Sequence, residues 1–368
     1  MKLVSLFLLL TLSVFAQQNA APQLNSPVVN PDRTVTFKIA APKATEVTLK
    51  GDWNDDAKKL EKGADGVWSI TVGPMPPSSY IYGYTVDGVA IADPVNPRIK
   101  LRMRGSGSYF VVPGDGPGIQ EPRDVPRGAV ETIWQKSSVL GDVRQILVYT
   151  PPGYTQETAR RYPVLYLLHG SNDRPNGWVD VGNINFIADN LVAEGKAVPM
   201  VIVMPITHAL PFGERGGQGG RNNTTVFEEY LLKDVMPTVA AKYRIAPGRQ
   251  NAALAGQSMG GELSCAIFFH QLDRFSSMGA LSPSGFRAIE TEHAALLKDA
   301  AGTNAKIDLL WIACGRQDPS HFNGSQRLAE VLETNKIRHI WRPSEGYHNY
   351  PLWRDHITEF LTLLFKSK

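Results

Sequence analysis

The chain has 368 residues, of which 43% are hydrophobic and 20% are charged, and its formal net charge is +3. This length favours more than one domain, and the hydrophobic content is sufficient for a sizeable core. The small net charge, without a block of lysine or arginine residues, argues against nucleic-acid binding.

The first sixteen residues have the pattern of a secretory signal peptide. Lys2 precedes an apolar run at residues 3–15, and the small residue Ala16 ends it. A membrane anchor is the less favoured alternative because this run is shorter than the ~20 residues that span a bilayer. We therefore expect removal of residues 1–16 and a secreted or periplasmic protein that is not bound to a membrane.

Residues 17–113 are predicted to form a small β-sandwich. Short segments alternate apolar and polar residues at strand period, and turn-forming glycine, proline and aspartate residues separate them. The predicted strands are 35–39, 46–50, 67–72 and 80–86. Residues 114–127 are rich in glycine and proline, which predicts a linker to a second domain.

Short motifs in this first domain resemble the family 48 carbohydrate-binding module. They are Gly51-Asp-Trp-Asn54, the run 82–88 and Asp93-Pro-Val-Asn96. The resemblance implies an immunoglobulin-like sandwich that precedes a catalytic domain acting on glucans or xylan-type polymers. Several aromatic side chains either form a sugar-stacking surface or fill the sandwich core and pack on the second domain. These are Trp53, Trp68, Tyr80, Tyr82 and Tyr84.

From residue 128 to residue 368 strand patterns alternate with helix patterns. This order predicts a doubly wound, mostly parallel sheet with helices on both faces. The continuous apolar run 164–168 is typical of a strand buried on both faces. Further strands are predicted at 131–136, 144–150, 200–204, 252–255, 276–281, 307–313 and 337–341, and helices at 184–195, 226–243, 262–271 and 352–365.

A G-x-S-x-G motif centred on Ser258 joins the predicted strand 252–255 to the predicted helix 262–271. Such a nucleophile elbow holds a serine in a strained conformation, and its glycines, here Gly256 and Gly260, allow strand and helix to pack closely. The helix N-terminus favours negative charge that develops at the serine. Together with the sheet pattern, the motif predicts an α/β-hydrolase fold with Ser258 as the nucleophile.

In this fold an acid and a histidine follow the serine in that order, at the carboxyl ends of later strands. Asp318 lies just past the predicted strand 307–313 and is the predicted acid. Its alternative role is to cap the following helix. Asp308 precedes that strand, Asp273 lies beyond the elbow helix, and no strand leads into Asp299.

His348 lies after the predicted strand 337–341 and before the last helix, so it is the predicted base. Three other histidines are less suitable. His321 is too close to Asp318, His339 lies within the predicted strand, and His356 lies on the final helix.

The oxyanion hole requires two backbone N–H groups. We assign them to Met259, the residue after the nucleophile, and to Ser171, in the loop after strand 164–168. The alternative is that this loop only joins a strand to a helix. His169, in the same loop, is expected to shape it rather than to transfer protons.

The two cysteines, Cys265 and Cys314, both lie in apolar surroundings. Two buried free thiols are therefore favoured over a disulfide, although an exported protein would permit one. Their spacing predicts no metal site.

The second domain resembles carbohydrate esterase family 1, which includes feruloyl esterases and acetyl xylan esterases. The motifs that carry the resemblance are Tyr166-Leu-Leu-His-Gly170, the run 182–190, Gly256-Gln-Ser-Met-Gly-Gly261, Gly315-Arg-Gln-Asp318 and the run 346–354. The resemblance implies the same roles for Ser258, Asp318 and His348. It also implies hydrolysis of feruloyl esters on plant polysaccharide, without a metal or organic cofactor.

Four residues are expected near the mouth of the pocket, where they line it or simply pack: Trp178, His208, Phe212 and Trp353. The alternatives to a feruloyl esterase are an acetyl xylan esterase, a sugar-directed transacylase of the mycolyltransferase type, and a polysaccharide-binding protein without catalysis. The sequence does not determine the oligomeric state.

Every predicted catalytic group lies in the second domain, so hydrolysis of small esters is expected to proceed without the first. The competing expectation is that Trp53 or the strand 80–86 packs on the second domain and completes its pocket or core.

Overall fold

The computed structural model describes residues 24–53, 56–210, 222–284 and 289–366. The predicted signal peptide and Phe212 lie outside these residues. Among the helices described, none has the length and apolar character required to span a membrane.

The first domain is a β-sandwich of two antiparallel sheets. Its strands are β1 (Val28–Val29), β2 (Val35–Ala40), β3 (Val47–Gly51), β4 (Lys58–Lys59), β5 (Glu61–Lys62), β6 (Val67–Val72), β7 (Ser78–Val86), β8 (Val89–Ile91), β9 (Ile99–Leu101) and β10 (Ser106–Val112). One sheet has the order β1-β2-β6-β5, and the other has the order β4-β3-β7-β10-β9, with β8 paired to β7. Alternate residues of both sheets meet in one core, as the strand-period patterns predicted.

The aromatic side chains of the first domain mainly form this core. Trp68, Tyr80, Tyr82 and Tyr84 are all buried, so these four rings offer no face to a sugar. The Tyr82 hydroxyl donates a hydrogen bond to Asp93 at 2.7 Å. Trp53 is half-buried and stacks on a core phenylalanine. The interpretation of these residues as core is therefore the correct one for the four buried rings.

The second domain is built on one long sheet with the order β11-β12-β14-β13-β15-β16-β17-β18. The strands are β11 (Ala129–Lys136), β12 (Val143–Thr150), β13 (Val164–Leu168), β14 (Val201–Pro205), β15 (Ala252–Gln257), β16 (Ser277–Leu281), β17 (Leu309–Gly315) and β18 (Ile340–Ser344). The first two strands are antiparallel, and pairing is parallel from β14 to β18.

Helices accompany this sheet, with separate apolar cores on its two faces. They are α1 (Gly177–Asp180), α2 (Ile184–Ala193), α3 (Asn223–Tyr230), α4 (Met236–Lys242), α5 (Met259–His270), α6 (Ile289–Glu292), α7 (Ala294–Lys298), α8 (Ala300–Ala305), α9 (Pro319–Thr334) and α10 (Tyr350–Leu363). The α/β-hydrolase fold predicted from the sequence is confirmed.

The helix predicted at 226–243 is interrupted. A π-helical turn, Leu231–Val235, separates α3 from α4. Pro237 is the second residue of α4, and it has no N–H to donate to the carbonyl four residues earlier. The sequence did not reveal this break, because the helical period of the apolar residues continues across the π-helical turn.

The two domains are packed together. Ile81, on β7 of the first domain, is buried within a core cluster of the second. Arg354, on α10, is 2% exposed and donates hydrogen bonds to the carbonyl oxygens of Ser79, at 3.0 Å, and Val181, at 2.7 Å. The segment predicted as a linker also lies against α2, since Asn190 donates to the Ile119 carbonyl at 2.8 Å. The competing expectation, that β7 packs on the second domain, is therefore correct.

Candidate active site

Ser258 lies in the turn between β15 and α5, at φ 54° and ψ −126°. A positive φ is strained for serine, and the surrounding structure must hold it. The Ser258 N–H donates to the Leu281 carbonyl at 2.8 Å. A Cβ at Gly256 or at Gly260 would lie 2.8 Å or 2.5 Å, respectively, from the Leu168 carbonyl oxygen. Only glycine fits at these two positions, as the motif predicted.

Asp318 and His348 are brought together at the carboxyl edge of the sheet. Asp318 follows β17, and His348 lies in the loop between β18 and α10. The His348 Nδ1–H donates to Asp318 Oδ2 at 2.5 Å. Asp318 stands at the N-cap position of α9, yet among the described residues its carboxylate makes no capping hydrogen bond. Its oxygens are instead directed to histidines.

A second histidine shares this carboxylate. His321 Nδ1 donates to Asp318 Oδ1 at 2.9 Å, and its ring stacks on that of His348 with 3.9 Å between centroids. The sequence interpretation set His321 aside because of its closeness to Asp318. His321 lies three residues after Asp318, which is the N-cap residue of α9. This spacing places the side chains of Asp318 and His321 on the same face of the helix, and it is the signal that could have found His321.

The two histidines determine the charge of Asp318. Burial alone would raise the pKa of this carboxyl, but the hydrogen bonds from His321 and His348 outweigh burial and hold the pKa well below its usual range. Asp318 is therefore ionised at neutral pH. An ionised acid on Nδ1 leaves His348 Nε2 as the acceptor of a proton.

The two predicted oxyanion groups belong to the elbow helix and to the loop after β13. Met259 is the first residue of α5, so its N–H has no intrahelical acceptor. Ser171 is exposed in the loop after β13. In the same loop, a Cβ on Gly170 would lie 3.2 Å from that of Ser258, so this loop approaches the serine directly.

His169 supports the loop and is fully buried. Its Nε2 accepts from the Thr207 N–H at 3.0 Å, so Nδ1 carries the proton and donates to the Gly170 carbonyl at 2.9 Å. Burial lowers the pKa of His169 to about 4. The imidazole is neutral, and both nitrogens are engaged in structure.

The residues predicted to line the pocket have different positions. Trp178 is fully buried, and its ring N–H donates to the Leu168 carbonyl at 3.2 Å. The prediction that Trp178 contacts substrate is therefore wrong, because a ring without exposed surface only packs. His208 lies beside His169, with 5.6 Å between ring centroids. Trp353 is edge-on to His348, with 4.9 Å between centroids, and belongs to the site. Phe212 falls outside the described residues.

The first domain contributes walls of the cleft, in line with the competing expectation that it completes the pocket. A cleft of about 610 Å³ is lined by Asp52 and Arg102 from that domain, together with Gln317, Tyr347 and His348 from the second. A smaller adjoining pocket of about 140 Å³ includes Ser171 and Trp353, again with Asp52 and Arg102. No local pattern relates these residues, because they are far apart along the chain.

Asp52 is fixed beside the histidine loop. Its carbonyl oxygen accepts from the Asn349 side chain at 2.7 Å, and its Oδ1 accepts from the Ile81 N–H at 3.0 Å. Burial raises the pKa of the Asp52 carboxyl to about 7, although the Ile81 N–H and the Arg354 charge oppose the shift. The cleft therefore contains a carboxyl group that titrates near neutrality.

Two clusters in the described residues have donors suited to a metal ion. In the first, Asp318, His321 and His348, both Nδ1 atoms already bind the carboxylate, so metal binding would compete with the Asp318–His348 pair. The second is His270, Glu292 and His293, whose ligand atoms lie within 4.8 Å of one another.

The two cysteines are buried free thiols, as the sequence favoured. Burial raises the pKa of Cys314 to about 11, with a contribution from the Asp318 charge. Cys314 is therefore a protonated packing residue beneath the acid.

Comparison with known proteins agrees with this arrangement. Residues 137–364 match the family described as "Putative esterase", and residues 26–101 match "Carbohydrate-binding module 48 (Isoamylase N-terminal domain)". An endo-1,4-beta-xylanase/feruloyl esterase of Xylanibacter ruminicola is 28% identical over 353 residues, which is 94% of this chain and 46% of the relative. Esterase Rv1288 of Mycobacterium tuberculosis is 26% identical over 47% of this chain and 36% of its own length. The chain thus spans about half or less of the length of these relatives.

Solved structures share the fold. The enterobactin esterase of Shigella flexneri has a TM-score of 0.67 at 19% identity, with 90% of this chain and 93% of that chain covered. A ferulic acid esterase of Anaeromyces mucronatus, in complex with ferulic acid, has a TM-score of 0.57 at 24% identity, covering 67% and 93% respectively. At these identities the likeness establishes fold alone. The esterase match covers more than half of the chain and confirms the resemblance predicted from the sequence. The chain therefore belongs to the esterase family, with a domain of the carbohydrate-binding module 48 type on its N-terminal side.

Proposed function

We propose that the protein is a secreted or periplasmic serine esterase that removes feruloyl groups from xylan-type polysaccharide or oligosaccharide. The observation that carries the proposal is the 2.5 Å hydrogen bond between His348 and Asp318, at the edge of the sheet where Ser258 occupies its strained turn. A feruloyl substrate is supported by the likeness to an endo-1,4-beta-xylanase/feruloyl esterase and to a ferulic acid esterase. The apolar run at residues 3–15 supports export.

In the proposed reaction, Ser258 Oγ attacks the ester carbonyl carbon while His348 Nε2 takes the hydroxyl proton. Asp318 holds Nδ1 and stabilises the imidazolium that forms. The N–H groups of Met259 and Ser171 bind the oxyanion. His348 next gives its proton to the departing sugar oxygen, and it then activates a water molecule that hydrolyses the acyl-enzyme. These steps require no metal or organic cofactor.

The cleft supports a sugar on the alcohol side of the ester. Arg102 from the first domain lines the same pocket as His348, and such a polar group pairs with sugar hydroxyls. The first domain therefore takes part in substrate binding at the cleft itself. This differs from a tethered module that only raises local concentration.

The test compares release of ferulate from methyl ferulate and feruloylated xylan with release of acetate from acetylated xylan. Ser258→Ala should lower kcat at least ~10³-fold without loss of fold, because the three residues act as a unit. Near-normal turnover by folded Ser258→Ala would contradict the proposal. Acetate release without ferulate release would favour the acetyl xylan esterase, and acyl transfer to an added sugar would favour the transacylase.

A further inference from the structure

The loop that carries Ser171 is held by the first domain. Asn172, at φ 57°, accepts a hydrogen bond from the Met103 N–H at its carbonyl, at 3.2 Å, and from the Arg104 N–H at its Oδ1, at 2.8 Å. Arg174 Nε donates to the Arg102 carbonyl at 3.0 Å. These partners follow β9 of the first domain. The backbone of the loop is thus fixed from outside its own domain.

A buried ion pair reinforces this attachment. Lys100, on β9, is 2% exposed, and its ammonium group bonds the Asp173 carboxylate. Asp173 also accepts from the Tyr350 hydroxyl at 2.6 Å and from the Arg174 N–H at 2.7 Å. Burial would raise the pKa of Asp173, but the Lys100 charge outweighs burial and lowers it. The carboxylate is therefore ionised and satisfied on both oxygens.

The surrounding backbone is shaped for this pair. A Cβ at Gly177 would lie 2.5 Å from Asp173 Oδ1, from Lys100 Nζ and from the Tyr350 hydroxyl. Glycine is thus required where the three groups converge. A buried ionic group that loses its partner is strongly destabilised, so the loop has one favoured position, the one that places Asp173 on Lys100.

We propose that Lys100 is a positioning residue for the oxyanion hole, and that it holds the loop 170–174 so that the Ser171 N–H faces the reacting carbonyl. The inference rests on the proposed function, because oxyanion donors stabilise the transition state only when they are oriented before reaction. Ser171 lies two residues from Asp173, so displacement of the carboxylate displaces the donor. Lys100 itself contacts no reacting atom.

The test uses Lys100→Met in the full chain. Loss of an oxyanion donor costs ~10²–10³ in kcat, and a displaced donor should cost less, about 10- to 100-fold, with little change in KM. Amide hydrogen exchange at residues 170–177 should accelerate, while the elbow at 256–262 stays protected. Asp93→Asn is the matched control, because Asp93 is a buried carboxylate of the same domain, 1% exposed, and all its partners, among them Tyr82 and Ser26, lie in that domain.

Equal kcat and equal exchange at 170–177 in Lys100→Met and Asp93→Asn would overturn the inference. Should Lys100→Met fail to fold, the double variant Lys100→Met/Asp173→Asn removes both charges of the pair. Faster amide exchange at residues 170–177 is still expected in this variant. Exchange and kcat equal to those of wild type would again overturn the inference. The proposed function is tested separately by labelling of wild-type Ser258 with a fluorophosphonate. If wild type neither labels nor hydrolyses esters, that function fails, and the exchange comparison still reports on the loop.

Discussion

Replacing Asp318 with asparagine separates the charge of the acid from its shape. The carboxylate accepts from His348 at Oδ2, and from His321 and Ser320 at Oδ1. The side-chain oxygen of an asparagine at this position can accept from His348 only if its NH₂ group faces His321 and Ser320. His321 can change tautomer and the Ser320 hydroxyl can rotate, so both can become acceptors. His348 therefore keeps its productive tautomer, and the variant loses mainly the negative charge.

The magnitude follows from the geometry of the pair. Charges centred about 4 Å apart in a partly buried site interact by about 4 kcal/mol, and this stabilisation of the His348 imidazolium is lost. Since each 1.36 kcal/mol is tenfold in rate, kcat on methyl ferulate should fall ~10³-fold. This loss lies below the ~10⁴-fold seen when an asparagine forces the wrong tautomer.

The matched control for Asp318→Asn is Asp299→Asn. The Asp299 side chain caps α8 by accepting from the Gly302 N–H at 3.0 Å, and asparagine caps helices equally well. Both variants should melt near the wild-type temperature, and Asp299→Asn should keep wild-type kcat. The reasoning would be refuted if Asp318→Asn were harmless, or if Asp299→Asn abolished activity in a folded protein.

Three further outcomes are expected. The folded-state pKa of Asp52 is about 7, above its ordinary 3.8, so the folded chain binds an extra proton between these values, and the stability of wild type relative to that of Asp52→Asn should fall as pH rises from about 4 to about 8. Parallel pH–melting curves for the two proteins would contradict this. Gly260→Ala should lower both melting temperature and kcat, because its Cβ meets the Leu168 carbonyl at 2.5 Å, while Gly116→Ala, with open space around it, should leave both unchanged. A chain beginning at Arg127 should lose stability and methyl ferulate turnover together, since the cleft and the loop 170–174 lose their first-domain partners; an unchanged melt with activity lost only on polymeric xylan would instead support an independent binding module.

The sequence by itself determined the elements next to the predicted catalytic residues and the order of those residues. Strand and helix periods depend on residues a few positions apart, so β13, β15 and α2 were predicted close to their observed bounds. The elbow is equally local, because Gly256 and Gly260 serve contacts within one strand–turn–helix unit. Parallel strands bring their carboxyl ends to one edge, which is why Asp318 and His348 could be paired although 30 residues separate them.

Only the tertiary structure decided how the two domains share the site. The contacts between Lys100 and Asp173 and between Asp52 and Asn349 span 73 and 297 residues, and no periodicity reports on such distances. Burial of Trp178 was undetermined for the same reason, since a tryptophan near a helix start suits a pocket and a core equally well. These features depend on how the sandwich docks on the sheet, and docking is determined by the packing of whole surfaces rather than by the pattern of neighbouring residues.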